Sequence, residues 1–275
     1  MRYSIPTPTN SVIGIGPLTV HYYALCIIAG VAVAIWLGNK RYRAFANNSE
    51  QSIGVVADVA IYAVPAGIIG GRIYHVITSP AQYFGENGQP LDALKIYEGG
   101  LGIWGAISLG ALAAWFAFRK RAKDLELPNF RNFLDALAPG ILIAQAIGRF
   151  GNWFNGELFG RPFSGPWALE IPLSKRPVGY LKYESFHPTF LYEAIWCALV
   201  AALLIWLTPK LKAGQGFAIY VALYCVGRFA IESLRIDDAN KILGLRVNLW
   251  TAVIVGLIAS ALAIRFARRK SPEIG

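Results

Sequence analysis

The chain has 275 residues, of which 55% are hydrophobic and 15% are charged, and its mean hydropathy is +0.45. Soluble domains carry about 25% charged residues, so this composition excludes an ordinary soluble protein and indicates one that is built into a membrane. The formal net charge of +10 raises the alternative of a nucleic-acid partner, which the distribution of the basic residues must decide.

Apolar windows of the length that crosses a bilayer, about 20 residues, recur along the whole chain. Because backbone polar groups in lipid must be satisfied within their own segment, each window is predicted to be a helix. We therefore predict an all-α polytopic membrane protein with a single transmembrane domain over 1–275. The second window contains Pro65 and several glycines, so we expect it to be kinked or broken. The seven windows lie at about 18–38, 54–79, 99–118, 133–150, 188–207, 217–235 and 247–266.

Lysine and arginine are concentrated in alternate connecting segments. If the first connector, with Lys40, Arg41 and Arg43, lies inside, the other inside segments are RKRAKDLELPNFR, TPKLKAG and the C-terminal tail. The four inside segments then hold fourteen of the 26 lysines and arginines, and the outside segments hold eight. Basic residues mark cytoplasmic loops, which predicts an N-terminus outside and a C-terminus in the cytoplasm. The segment 151–187 is then an external loop or cap. The positive charge follows from topology, and we expect no nucleic-acid partner.

Cysteines and histidines are few. Cys26, Cys197 and Cys225 fall inside apolar windows without metal-binding spacing, and the chain has three histidines. We therefore expect neither a metal nor another cofactor.

Four arginines fall within the predicted spans. A guanidinium at the bilayer centre costs about 3 kcal/mol on insertion scales, so such residues usually face a bundle interior or a water-filled cavity. Arg235 is close enough to a span end to reach the interface. Arg149 and Arg228 each stand among other polar residues, and Arg72 follows a pair of glycines.

The sixth window carries polar residues at helical spacing. In YCVGRFAIESLR, the intervals between Tyr224, Arg228, Glu232 and Arg235 place them on one face of a helix. One interpretation is an Arg228–Glu232 pair that neutralises itself inside the bundle. The other is that Glu232 holds the guanidinium in place to bind an oxyanion.

The stretch GRFGNWFNGELFG at 148–160 places an arginine, two amides and a carboxylate directly after an apolar window. If the helix continues past Gly148, then Arg149, Asn152 and Asn155 recur on one side. Arginines from two spans, with amide donors beside one of them, would form a clamp for a phosphate, but spacing does not name the anion. On these residues alone, a lipid-modifying enzyme and a transporter of anionic solutes are equally good interpretations.

Several motifs resemble those of the prolipoprotein diacylglyceryl transferase family of bacterial membrane enzymes. GRFGNWFNGELFGR resembles the family signature, and the likeness extends over about residues 18–266. The GRxGNxxNGE stretch is highly specific, which favours the enzyme over the transporter. The other matching motifs, in the family's order, are GGRIYHV at 70–76, GGLGIWGAISLG at 99–110, HPTFLYE at 187–193 and GRFAIESLR at 227–235.

The resemblance implies a reaction and its partners. The family transfers the diacylglyceryl group of phosphatidylglycerol to the thiol of the lipobox cysteine of a prolipoprotein, which forms a thioether, releases glycerol phosphate and begins lipoprotein maturation. The expected partners are phosphatidylglycerol, the prolipoprotein signal peptide with its lipobox cysteine, and membrane lipids. The expected location is the bacterial cytoplasmic membrane, with the active site toward the outer leaflet.

The resemblance also implies roles for individual residues. Arg149 and Arg228 are expected to bind the phosphate and to stabilise charge on the departing group, with Glu232 orienting Arg228. Tyr23 matches a tyrosine of the family's first span and is expected to be catalytic. The other residues expected to contact substrate are Arg72, Trp104, Asn152, Asn155, Glu157, Tyr224 and Arg235.

One departure from the family pattern affects the proton acceptor. Many members have a histidine in the third span, and Trp104 occupies the aligned position here. An indole cannot accept a proton from a thiol. His187 is the first candidate for the base and Glu98 or Tyr23 the second; otherwise the thiolate forms in the positive field of the arginines. The alternative for His187 is a structural role, where Pro188 starts the fifth span.

Overall fold

A computed structural model describes residues 4–16, 18–96, 99–123 and 125–269, which are mostly helical. Within this part of the chain, a helix of 18 or more residues occupies each predicted window, and one short helix (α3) follows the second. The helices are α1 (Tyr22–Phe45), α2 (Val55–Thr78), α3 (Ala81–Phe84), α4 (Ile103–Arg121), α5 (Phe130–Asn155), α6 (Thr189–Leu207), α7 (Gln215–Glu232) and α8 (Val247–Ala267).

In the described residues, five helices are long and apolar enough to cross a membrane: α1, α2, α5, α6 and α8. The other two long helices carry more charge. The last turn of α4 contains Arg119, Lys120 and Arg121, and α7 contains Arg228 and Glu232. The number and length of the apolar helices are those of a polytopic membrane protein.

The chain forms two compact units, Asn39–Phe133 and the remainder. In the unit Asn39–Phe133, α2 and α4 pack together through glycines. A Cβ on Gly70 would lie 2.4 Å from the carbonyl oxygen of Gly105, and a Cβ on Gly105 would lie 2.1 Å from that of Gly70. Only residues without side chains allow this approach, which is typical of packed membrane helices. α2 continues through Pro65 as one helix, so the break that was expected as one alternative is absent, and the kink stays a prediction. A packed neighbour supports a spanning helix at a proline.

In the other unit, α5 packs against α1 and is joined to α7. A Cβ on Gly30 would lie 3.0 Å from the carbonyl oxygen of Ala144, so small residues set the distance between α1 and α5. Asp135 on α5 accepts backbone hydrogen bonds from Gly214 (2.6 Å) and Phe217 (2.7 Å) at the start of α7. α7 also packs against α6 and α8. These contacts place α5, α6 and α7 side by side.

Short strands and single helical turns lie in the connecting segments. The parallel partner of β4 is β1, and its antiparallel partner is β5; β2 pairs with β3 and β6 with β7, both antiparallel. The strands are β1 (Ser4–Ile5), β2 (Val12–Ile15), β3 (Leu18–His21), β4 (Ala168–Glu170), β5 (Ser185–Phe186), β6 (Lys241–Ile242) and β7 (Leu245–Arg246). The 3-10 turns are Glu50–Ser52, Pro90–Leu94, Leu173–Lys175, Val178–Tyr180 and Thr208–Lys210.

The segment between α5 and α6, which the sequence predicts as an external loop or cap, has an apolar core of its own. Phe159, Leu169, Ile171 and Phe186 are buried in it together with Phe190 at the start of α6. This core, and the pairing of β4 with β1 and β5, anchor the segment to the ends of the neighbouring helices.

Candidate functional site

A glutamate of α6, Glu193, is the point at which several of the predicted residues meet, and it is 4% exposed. Its Oε1 lies 2.8 Å from a guanidinium nitrogen of Arg149 on α5 and accepts a hydrogen bond of 3.2 Å from the Tyr224 hydroxyl on α7. Its Oε2 lies 3.6 Å from a guanidinium nitrogen of Arg228, also on α7. We call these four residues the Glu193 cluster. Three helices thus bring two arginines to one buried carboxylate.

Arg149 also begins a chain of polar contacts along the end of α5. The helix continues to Asn155, so the geometry that the residue spacing requires past Gly148 is present. The Arg149 guanidinium donates to the Asn152 side-chain oxygen at 3.3 Å. The amide groups of Asn152 and Asn155 donate to the Glu157 carboxylate at 2.9 and 3.1 Å. The amide donors that the sequence suggested for an anion are therefore directed to Glu157.

A second group of charges surrounds Glu232, the last residue of α7, whose side chain is 0% exposed. Its Oε1 accepts hydrogen bonds from Arg246 at 2.7 Å and Asn248 at 3.0 Å. Its Oε2 lies 2.8 Å from a guanidinium nitrogen of Arg228 and 3.5 Å from one of Arg235. The predicted Arg228–Glu232 pair is confirmed, and Glu232 additionally binds two arginines beyond the helix.

Asp237 completes this second group. Arg235 binds both of its carboxylate oxygens, at 2.7 and 2.8 Å, and Arg246 donates to one of them at 2.9 Å. Burial alone would raise the pKa of Asp237, but the hydrogen bonds and charge of Arg235, with the charge of Arg246, outweigh it and hold that pKa below its usual value. We call Glu232, Arg235, Asp237, Arg246 and Asn248 the Glu232 cluster.

The two clusters differ in how far their arginines are enclosed. The side chains of Arg235 and Arg246 are 8% and 12% exposed. Two carboxylates close to it in the chain hold the Arg235 side chain, and its position relative to the membrane interface stays a prediction. The side chains of Arg149 and Arg228 are 22% and 20% exposed, which is more than those of Arg235 and Arg246.

Tyr23 lies against the turn of α5 that follows Arg149. A Cβ on Gly151 would lie 2.5 Å from a ring carbon of Tyr23 and 3.2 Å from its Cα, so this contact requires a glycine. The neighbouring Tyr22 stacks on Phe154, with ring centroids 4.7 Å apart. Both tyrosines thereby fix the start of α1 against the GRFGNWFN stretch.

His187 lies where β5 meets α6. Its Nδ1 is 3.0 Å from the hydroxyl of Tyr192, which accepts a hydrogen bond of 2.9 Å from the Trp167 indole. The imidazole stacks on Phe163 with centroids 4.2 Å apart. Burial, with the charge of Arg161, lowers the pKa of His187 from its ordinary value, so the ring is neutral at pH 7. A neutral imidazole that is held this firmly fits either a base or a structural residue.

Arg72 fixes the segment that follows α3 within the unit Asn39–Phe133. Its Nε donates to the carbonyl of Ala93 at 2.9 Å, and one terminal nitrogen donates to those of Gly99 and Gly100 at 2.6 and 3.2 Å. The other terminal nitrogen donates to the carbonyl of Asp92. The guanidinium of Arg72 is thus used to hold backbone.

Two further predicted residues belong to the unit Asn39–Phe133. Trp104 lies in the first turn of α4 and is 44% exposed, so its own unit does not enclose the indole. Glu98, one of the candidates for the base, lies outside the described residues.

Sequence reasoning missed several residues that complete the two clusters. Glu193 was overlooked although its motif, HPTFLYE, was recognised; the signal was a carboxylate within an apolar helix, because such residues usually have a charged partner. Asp237, Arg246 and Asn248 lie in or just after a connecting segment, where polar residues are ordinary. Nothing in the sequence distinguished them.

The apolar helices and the buried arginine–carboxylate clusters define a polytopic helical membrane protein whose interior is suited to an anionic group. Residues 10–265 match the family model described as prolipoprotein diacylglyceryl transferase. The chain therefore belongs to the prolipoprotein diacylglyceryl transferase family, and the resemblance of its motifs is confirmed.

Curated relatives match nearly the whole chain. Phosphatidylglycerol–prolipoprotein diacylglyceryl transferase 2 of Streptomyces coelicolor is 53% identical over 267 residues, which cover 96% of this chain and 81% of the relative. The phosphatidylglycerol–prolipoprotein diacylglyceryl transferase of Streptomyces griseus is 53% identical over 257 residues, 93% of this chain and 75% of the relative. That of Cutibacterium acnes is 50% identical over 270 residues, 98% of this chain and 88% of the relative.

Proposed function

We propose that this chain transfers the diacylglyceryl group of phosphatidylglycerol to the thiol of the lipobox cysteine of prolipoproteins, the first step of lipoprotein maturation. The family membership and the names of the relatives support the reaction. The observation that carries the proposal is the pair of guanidinium groups of Arg149 and Arg228, which the Glu193 carboxylate holds at 2.8 and 3.6 Å.

The reaction creates negative charge at a defined place. The cysteine sulfur forms a bond to the glyceryl carbon, the bond from that carbon to the phosphate oxygen breaks, and its electron pair stays on the oxygen. The thiol proton passes to a base, so a phosphodiester with one negative charge becomes glycerol phosphate with two. Groups that bind this oxygen more strongly as its charge grows lower the barrier.

Arg149 and Arg228 are suited to this role because they share the Glu193 carboxylate and both side chains are about one-fifth exposed. Arg228 is also paired with Glu232 at 2.8 Å. A planar guanidinium can donate two parallel hydrogen bonds to a phosphate while another edge stays on a carboxylate. Glu193 is then a positioning residue, which aims both arginines without touching the substrate.

The remaining predicted residues receive roles by their positions. Asn152 and Glu157 keep Arg149 in place through the polar chain at the end of α5, and Tyr23 at Gly151 borders the same turn. The substrate contacts expected of the other site residues stay predictions: Arg72, Trp104, Asn155, Tyr224, Glu232 and Arg235.

The proton acceptor is proposed to be His187, whose neutral ring at pH 7 supports the assignment. The contacts of His187 with Tyr192 and Phe163 support the structural role equally. If His187 is structural, we propose that the thiolate forms in the field of Arg149 and Arg228, which stabilises the anion directly.

We further propose seven spans in the bacterial cytoplasmic membrane, with the N-terminus outside and the active site toward the outer leaflet. The distribution of basic residues supports this orientation. A reporter fused after Lys212 is expected to behave as cytoplasmic, and one inserted near Gly179 as external. The opposite result at either site would overturn the span count on that side.

The direct test is reconstitution. Purified protein, phosphatidylglycerol vesicles and a lipobox peptide are incubated, and the diacylglyceryl peptide and glycerol phosphate are measured by mass spectrometry; a peptide with serine in place of the cysteine is the control. We expect both products in equal amounts with the cysteine peptide alone. If neither forms while the same vesicles take up glycerol phosphate, the chain is a transporter and the proposal fails.

A further inference from the structure

An open, polar pocket of about 710 Å³ lies outside the helices, between the cap and the connector from α7 to α8. Arg161 and Tyr180 of the cap form one wall, and residues 235–241 of the connector with Arg246 form the other. Ile236 and Ala239 are its aliphatic lining residues. The lining therefore provides little surface for acyl chains and suits a hydrated polar ligand.

The charges of this pocket favour an anion. Its cationic residues outnumber its acidic ones by four to two: Arg161, Arg235, Lys241 and Arg246 against Asp237 and Asp238. Arg235 and Arg246 already bind carboxylates. Arg161 donates to the Ser233 carbonyl at 2.9 Å through one terminal nitrogen, and its remaining donors together with the exposed Lys241 ammonium can be recruited by a ligand.

The pocket is connected to the proposed phosphate site by one side chain. The Glu232 carboxylate touches Arg228 of the Glu193 cluster on one side, at 2.8 Å, and Arg235 and Arg246 of the pocket wall on the other, at 3.5 and 2.7 Å. Arg228 and the two arginines of the pocket wall thus share one buried carboxylate. The pocket is therefore the neighbouring cationic surface, on the other side of Glu232 from the proposed phosphate site.

We propose that this pocket binds a phosphate monoester, the glycerol phosphate released by the transfer. The identity of the ligand rests on the proposed function. Glycerol phosphate is a small, soluble dianion, so it matches the polar lining, the excess of cationic residues and the open mouth. Phosphatidylglycerol itself is a diester with two acyl chains, for which the pocket has no apolar wall.

The test measures binding and transfer in the same preparations of the full-length protein. Labelled glycerol phosphate is titrated into protein in phosphatidylcholine nanodiscs, where no turnover occurs, and transfer is assayed separately with phosphatidylglycerol and a lipobox peptide. The variant is Lys241→Ala, with Lys241→Arg as the conservative change. Lys182→Ala is the matched control, because Lys182 is a cap lysine that lies over the Tyr183 ring and does not line the pocket.

We expect Lys241→Ala to weaken glycerol phosphate binding roughly tenfold, the loss of about one charge-assisted hydrogen bond. Lys241→Arg and Lys182→Ala should bind like the parent protein, and the first turnover of the transfer should be unchanged in all three. Inhibition of transfer by added glycerol phosphate should weaken in Lys241→Ala by the same factor.

Three results would overturn the proposal. The first is unchanged glycerol phosphate binding in Lys241→Ala while transfer is intact. The second is a higher KM for phosphatidylglycerol in that variant with unchanged glycerol phosphate binding, which would assign the pocket to the lipid headgroup. The third is a higher KM for the peptide alone, which would assign it to the prolipoprotein. Failure of the proposed function is distinct, because the parent protein would then form no lipopeptide.

Discussion

The Glu193 cluster and the Glu232 cluster are both built from arginines and carboxylates, but they differ in how far the arginine side chains are enclosed. In the Glu232 cluster, Arg235 and Arg246 share two carboxylates, and their hydrogen bonds to Asp237 and Glu232 are 2.7–2.9 Å long. Their side chains are 8% and 12% exposed. In the Glu193 cluster, Arg149 and Arg228 share Glu193, Arg228 also pairs with Glu232, and both side chains are about one-fifth exposed. We interpret the more enclosed arginines as stabilising the fold and the more exposed ones as available to a ligand.

The surroundings of Arg72 extend the comparison. Its guanidinium donates to backbone carbonyls within the segment between α3 and α4. An arginine in an apolar helix is therefore not by itself evidence of a substrate site. What marks Arg149 and Arg228 is that they meet at one carboxylate from two helices and that their side chains are more exposed than those of Arg235 and Arg246.

The largest effect on transfer is expected when an arginine of the Glu193 cluster is removed. Arg149→Ala and Arg228→Ala are each expected to lower transfer by roughly 10³-fold or more, because they remove charge stabilisation of the leaving phosphate. Membrane insertion should be unaffected. Lipopeptide formation per inserted molecule is the measurement, with Lys182→Ala as the control; substantial transfer by either alanine variant would remove that arginine from the site.

The next largest effect concerns His187. If it is the base, His187→Ala should lower the rate by about 10²-fold or more. Because its pKa is lowered, the parent rate should rise with pH through a value below about 6.5 and be level above it. The variant should lack this acid limb. A full rate with an unchanged pH profile would favour thiolate formation in the arginines' field.

Asp237 tests whether the Glu232 cluster stabilises the fold. Asp237→Asn should lower the free energy of unfolding by roughly 1–3 kcal/mol, because Arg235 and Arg246 lose a charged partner. Since the folded-state pKa of Asp237 is lowered, its contribution is complete above the unfolded value of about 3.9 and is lost as pH falls through the folded one. Thermal unfolding against pH should show a smaller acid loss in this variant. The exposed neighbour Asp238→Asn is the control, and equal effects would contradict the account.

The smallest expected effect concerns Trp104. Trp104→His should change the transfer rate by no more than about tenfold, a barrier change of about 1.4 kcal/mol or less. The indole is 44% exposed within its own unit, so the smaller ring leaves little unfilled space. The measurement is the transfer rate of inserted protein. A large loss would show that the indole is part of the mechanism.

Much of the fold and part of the site could be predicted from the sequence because they depend on local patterns. Apolar windows located the helices, and the interval of four residues gave the Arg228–Glu232 pair. The end of α5 was placed too early, since Asn152 and Asn155 lower the hydropathy without ending the helix.

The rest depends on contacts between separate elements. Glu193 meets Arg149 only when α5 and α6 pack together. The spacing of residues within one helix does not predict a contact between two helices. The same holds for Arg246, which reaches Glu232 from the start of α8. The sharing of carboxylates between arginines of separate elements therefore required the folded chain.

The central claim is that Arg149 and Arg228 bind the phosphate through the planar geometry of their guanidinium groups. Its most direct test is the single-turnover transfer rate of Arg149→Lys and Arg228→Lys in phosphatidylglycerol nanodiscs. Lysine keeps the charge but lacks the two parallel donors. The account predicts a fall of roughly 10²-fold in both variants, with insertion and thermal unfolding close to those of the parent. An Arg149→Lys protein that kept most of its activity would contradict bidentate recognition.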